Sequence, residues 1–192
     1  MANPTQVAVP LHKPKLQEKL FFLFSGMIVS IPLTLFINNF SDYLLPILPS
    51  NYIVLVYVVL LAPLIEEFSK AYPLFYRHAE TERSIFGLGF LVGLGFGIVE
   101  FIEYVVLFQA PILSRLPGIF FHAATTSIVA FGISRKRSFW YYLIAVALHM
   151  SNNLFASMGW VWILGGPAVV GLAYVLSWFF YGKTQERTIP FR

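Results

Sequence analysis

The chain has 192 residues, of which 58% are hydrophobic and only 11% charged, with a mean hydropathy of +0.73. Soluble domains carry roughly 25% charged residues, and a small domain leaves much of its area exposed. The composition therefore excludes a soluble globular fold and indicates an integral membrane protein. The absence of cysteine excludes disulfides, thiolate metal sites and a cysteine nucleophile. A net charge of +4 does not imply a nucleic-acid partner, because the cytoplasmic loops of membrane proteins collect Lys and Arg.

Six apolar segments follow one another, each near the roughly 20 residues that a helix needs to cross a bilayer. They run over Leu20–Asn38, Tyr52–Tyr76, Ser84–Gln109, Leu113–Ile133, Phe139–Ser157 and Trp160–Tyr181. The connections are short, so neighbours are expected to be antiparallel. The expected fold class is all-α, a polytopic membrane bundle of about six transmembrane helices around a polar chamber. Residues 1–19 read as a cytoplasmic segment, 20–182 as the membrane domain and 183–192 as a cytoplasmic tail. The polar start and the long run from Leu20 do not read as a cleavable signal peptide. Gly89/Gly93 and Gly93/Gly97 form GxxxG pairs in the third segment, where the absence of Cβ atoms permits close helix packing.

Lys13, Lys15 and Lys19 precede the first segment, and Arg77 and Arg83 lie between the second and third. Arg135, Lys136 and Arg137 lie between the fourth and fifth, and Lys183, Arg187 and Arg192 follow the sixth. Only Arg115 falls on the other side, while Lys70 is intramembrane. The positive-inside rule then puts both termini in the cytoplasm, as expected for a multi-pass protein of a prokaryotic plasma (inner) membrane.

An ionisable group in a bilayer costs at least about 2.5–3.5 kcal/mol on insertion scales, so each one needs a reason. The second segment has Glu66, Glu67 and Lys70, and the third has Glu100 and Glu103. The fourth has His122, and the fifth has His149, Asn152 and Asn153. Glu66 and Lys70 are i,i+4 and Glu67 and Lys70 are i,i+3, so either pair can form on one helix face and one carboxylate is left over. Two adjacent carboxylates in a low dielectric do not both ionise easily, which is how a site obtains one acid and one base. His149 and Asn153 project together, and Arg115 lies two turns from His122 on one face.

Several protease classes are excluded by inspection. Asp42 is the sole aspartate, no His-Glu-x-x-His occurs, and no serine sits in a Gly-x-Ser-x context. A glutamate acting as general base on water, assisted by a histidine, remains. His149 and Asn153 could then donate hydrogen bonds to an oxyanion. Two alternatives stay open. Glu66, His122 and His149 could hold a catalytic zinc, or the buried Glu/His chain could form the relay of a proton- or ion-coupled transporter.

The ordered set Glu66-Glu67-x-x-Lys70, Phe96-x-x-x-Glu100, Arg115-x6-His122 and His149-x-x-x-Asn153 resembles the PrsW family of intramembrane proteases. That family is related to the CAAX prenyl endopeptidases of the CPBP group. The resemblance implies a glutamate-dependent peptidase acting on membrane-bound proteins, anti-sigma factors among them, with no cofactor expected and zinc as the alternative. It makes Glu66 the base, and His149 with Asn153 the oxyanion donors. Glu67, Glu100 and His122 complete the catalytic set, while Lys70, Glu103, Arg115 and Phe96 support it or bind substrate. Glu100 stands where CAAX enzymes have histidine, and His122 is the candidate replacement. The implied partners are a membrane-bound protein substrate and the lipid bilayer.

Overall fold

A computed structural model describes residues 12–76 and 81–186. Arg77, Arg187 and Arg192 of the cationic set lie outside these residues. Six helices make up the fold, and no strand occurs among the described residues. Helix α1 is Leu16–Leu44. Helix α2 is a continuous run over 50–75, α-helical at Ser50–Ile53, π-helical at Val54–Leu61 and α-helical again at Ala62–Phe75. Helix α3 is Glu82–Ile102, extended by the π-helical Glu103–Leu107. Helices α4 and α5 are Ile112–Ser134 and Ser138–Ser157. Helix α6 is Trp162–Lys183, entered through the 3₁₀ turn Gly159–Val161.

The boundaries follow local chemistry. Thr81 is extended, and its side chain accepts a hydrogen bond from the Ser84 N–H at 3.1 Å, which caps α3. Pro111 precedes α4, where its missing N–H costs nothing. Lys136 turns the chain from α4 into α5 with φ 57°.

Helix α4 is the axle of the bundle, and every residue from Phe121 to Ser134 is buried. Its approach to α3 depends on glycine. A Cβ at Gly93 would overlap the carbonyl oxygen of His122, and one at Gly95 would overlap that of Leu23 in α1. One face of α3 thus admits α4 and another admits α1, as the glycine spacing anticipates. Phe22, Leu74, Leu88, Val92 and Val129 close one apolar cluster, and Phe121, Ile128, Leu148 and Val169 close a second.

Among the described residues, three helices are long and apolar enough to cross a membrane: Glu82–Leu107, Ile112–Ser134 and Gly159–Lys183. Helices α2 and α5 carry the charged and amide groups of the site, which lower their hydropathy. Outward-facing side chains are apolar, Leu113 being 83% and Trp178 78% exposed, which suits lipid and not water.

Candidate active site

Helix α2 supplies three ionisable groups at its centre. Lys70 pairs with Glu67, the i,i+3 option, at 2.6 Å between Nζ and Oε1, with neither side chain exposed. The same ammonium donates to His122 Nδ1 at 2.9 Å and lies 4.9 Å from the centroid of the Phe96 ring. An ammonium can only donate, so Nδ1 accepts and the ring proton of His122 is assigned to Nε2. Nε2 in turn donates to Glu100 Oε2 at 2.5 Å.

His149 is ordered in the opposite sense. Its Nδ1–H donates to Glu67 Oε1 at 2.9 Å, leaving Nε2 as the outward ring nitrogen. That nitrogen faces Glu66 Oε2 at 3.8 Å. Thr125 Oγ1 also donates to Glu67 Oε1 at 3.3 Å, so this one oxygen gathers Lys70, His149 and Thr125. The two imidazoles stand 5.1 Å apart, edge to face. Phe121 closes the wall, 5.6 Å from the His122 ring and 5.7 Å from that of His149.

The acidic groups of this cluster outnumber its one ammonium. Glu66, Glu67 and Glu100 are three carboxyl groups facing Lys70 and two imidazoles. Unpaired charge in a low-dielectric setting is costly. Glu66 Oε2 and Glu67 Oε2 are buried with no hydrogen-bond partner among the described residues. Glu66, His122 and His149 each offer one ligand atom, all within 4.8 Å of one another. Two imidazoles and a carboxylate with a position to spare are the donors of an open catalytic zinc site. The surplus of carboxyl groups and a Glu66 oxygen without a hydrogen bond fit a divalent cation equally well.

The structure brings Glu66, Glu67, Lys70, Phe96, Glu100, His122 and His149 together from α2, α3, α4 and α5. Asn153 is committed elsewhere: its Nδ2 donates to the carbonyl of Val58 at 2.9 Å. In the π-helical turn that carbonyl would receive the N–H of residue 63, which is Pro63 and has none. Asn153 therefore satisfies a carbonyl that the sequence of α2 leaves open. Glu103 stands one turn beyond Glu100, at the head of Glu103–Leu107. It makes none of the cluster's hydrogen bonds described above. The Arg115 guanidinium lies 3.8 Å from the centroid of the Tyr104 ring, in the first turn of α4.

Thr125 and Phe121 were not singled out from sequence. Thr125 lies i+3 from His122 in the run Thr125-Thr126-Ser127, an unusual stretch of hydroxyls for an apolar helix, and that run was the available signal.

A family model described as PrsW family intramembrane metalloprotease matches residues 16–181. The chain belongs to this family. No curated protein and no solved structure matches it. The matched range takes in every residue of the Glu–His cluster. The protease is thus a membrane hydrolase, and family membership favours that reading over a coupled transporter.

Proposed function

We propose that the chain is a metal-dependent intramembrane endopeptidase that cleaves membrane-bound protein substrates, with Glu66, His122 and His149 as the metal ligands. The observation that carries this reading is the convergence of those three donors, within 4.8 Å of one another, in a cluster where three carboxyl groups face one ammonium. A divalent cation such as zinc would supply Lewis acidity, polarising the scissile carbonyl and activating water at neutral pH.

The chain's own residues do the rest. Glu67 holds the Nδ1–H of His149 and so aims its Nε2 inward, as carboxylates behind ligating histidines commonly do. Lys70 neutralises Glu67 and keeps that carboxylate in place. A ligating His122 would present Nδ1, the ring nitrogen without a proton, in place of its bond from Lys70, while its Nε2–H stays on Glu100. Glu100 then holds the His122 ring in place, as Glu67 holds that of His149. Phe96 and Phe121 exclude lipid and bulk water.

A second reading has one observation in its favour: both ring nitrogens of His122 are already bonded, to Lys70 and to Glu100. In that reading Glu66 activates water as a general base without a metal. Purified protein in liposomes with a single-pass substrate separates the two. The metal reading expects activity lost to a strong chelator, restored by zinc and matched by stoichiometric metal. Chelator-resistant cleavage by metal-free protein rejects it.

The same proposal includes a six-span topology in a prokaryotic inner membrane, with 20–182 as the protease domain flanked by cytoplasmic 1–19 and 183–192. The excess of Lys and Arg on one side supports it. The cysteine-free chain permits a clean test. Arg115→Cys is expected to react with a membrane-impermeant maleimide in intact cells and Arg137→Cys to be protected. The reverse pattern inverts the topology.

A further inference from the structure

On the side of α3 and α4 turned away from the Glu–His cluster lies a groove of about 1050 Å³, bounded also by the start of α1 and by α6. Phe120 and Ala124 line it, each two residues from His122 and so about 200° round the helix from it. Lys13, Lys19 and Arg83 stand at its mouth, and no acidic side chain lines it among the described residues. Its walls are apolar, with Phe86, Phe90 and Trp178 among them. Gly87 opens one wall: a Cβ there would meet nothing within 4 Å.

Along α3 the lining runs from Arg83 to Leu91, about 12 Å, and along α6 from Tyr181 to Tyr174, about 10 Å, at 1.5 Å per residue, with Phe120 of α4 at the deep end. Half of a hydrocarbon core is about 15 Å. Cations at headgroup level above an apolar channel of comparable length match the two ends of an anionic lipid. A substrate helix would need a groove open through the whole membrane, and here it would face away from Glu66.

We propose that this groove holds one anionic phospholipid of the surrounding membrane, its phosphate beside Lys13, Lys19 and Arg83 and an acyl chain along Gly87 and the aromatic walls. The site is separate from the Glu–His cluster and does not depend on the metal reading.

The test is native mass spectrometry of the delipidated full chain in detergent, with phosphatidylglycerol and phosphatidylcholine of identical acyl chains. One phosphatidylglycerol is expected to be retained, with a preference over phosphatidylcholine of at least about thirtyfold, each surface lysine contributing about fivefold. Inorganic phosphate at millimolar concentration is expected not to displace it. Lys13→Ser with Lys19→Ser should bring the preference down to a few-fold; Arg83 is left intact because it also bonds Thr184. Gly87→Leu fills the channel and should abolish retention of both lipids, with circular dichroism checking that the helices persist. Equal retention of the two lipids by the wild-type protein overturns the proposal. So does undiminished binding by folded Gly87→Leu, or displacement by phosphate. Should Gly87→Leu not fold, the lysine pair decides alone, and an unchanged preference overturns the proposal.

Discussion

Lys70 and Arg135 each anchor a polar constellation in this bundle, and the two differ in how their charge is resolved. At the end of the bundle, Arg135 bonds Glu82 at 3.0 Å and the carbonyl of Lys183 at 2.8 Å. Glu82 also accepts the N–H of Gln185 at 3.1 Å, and Arg83 bonds both the hydroxyl and the carbonyl of Thr184. Here one carboxylate meets the Arg135 guanidinium, while Arg135 and Arg83 meet the last carbonyls of α6. The arrangement ties the ends of α3, α4 and α6 together. The cluster around Lys70 is deeper, with Glu67 and Lys70 fully buried, yet it carries three carboxylates for one ammonium. A structural ion pair at that depth would be cheapest if neutral. The difference teaches that depth and converging donor atoms, more than the presence of charge, separate a reactive site from a clasp: Glu66, His122 and His149 turn toward one point, whereas the clasp uses its groups on helix ends.

The comparison breaks most visibly at Glu66. Glu66→Gln is nearly isosteric, removes one of the three carboxyl groups and cannot accept a proton. Cleavage by the reconstituted protein should fall by about 10²–10⁴-fold, while helix content and yield are preserved. Wild-type cleavage by a well-folded Glu66→Gln protein would remove Glu66 from the site under either reading of the chemistry.

Glu67→Gln should have the next largest effect. It weakens the hold on His149 and leaves Lys70 without its carboxylate. A loss of about 10–100-fold in metal affinity or activity is expected from such a partner. Titration of zinc into the chelated protein, read by recovered cleavage, measures it.

Glu82→Gln addresses the clasp. Weakening its charged hydrogen bonds should lower stability by about 1–3 kcal/mol, seen as earlier thermal unfolding in detergent. Cleavage per folded molecule should stay within a few-fold of wild type. A loss as large as that of Glu66→Gln would erase the distinction between the two constellations.

The smallest effect sharpens the border of the site. Asn153→Ala removes the hydrogen bond to Val58 and should cost about 1 kcal/mol of stability, with at most a few-fold change in kcat. An oxyanion donor would instead cost about 10²–10³-fold in kcat. That outcome would bring Asn153 back into the chemistry beside His149.

Much of this protein is determined by sequence alone. Low charge and repeated apolar segments dictate a helical membrane bundle, because a bilayer accepts only backbone that satisfies its own hydrogen bonds. Intramembrane Glu66, Glu67, Lys70, Glu100, His122 and His149 announce a site, because none is cheap in lipid. Glycine at every fourth position of α3 announces where another helix comes close. Tertiary structure decided the rest. Spacing along α2 permits Lys70 to join either glutamate. Only the arrival of His149 from α5 and His122 from α4 gives Lys70 to Glu67 and leaves Glu66 Oε2 without a hydrogen bond. The i,i+4 spacing of His149 and Asn153 suggests a shared task. Yet Asn153 answers Val58, because Pro63 withholds an N–H from a π-helical turn that no periodicity reveals. Thr125 was silent for the same reason: its role depends on α2, 58 residues away in sequence. Spacing within a helix says which groups share a face, while pairing across helices depends on rotation and depth, and these are set by where Gly93 lets α4 approach α3.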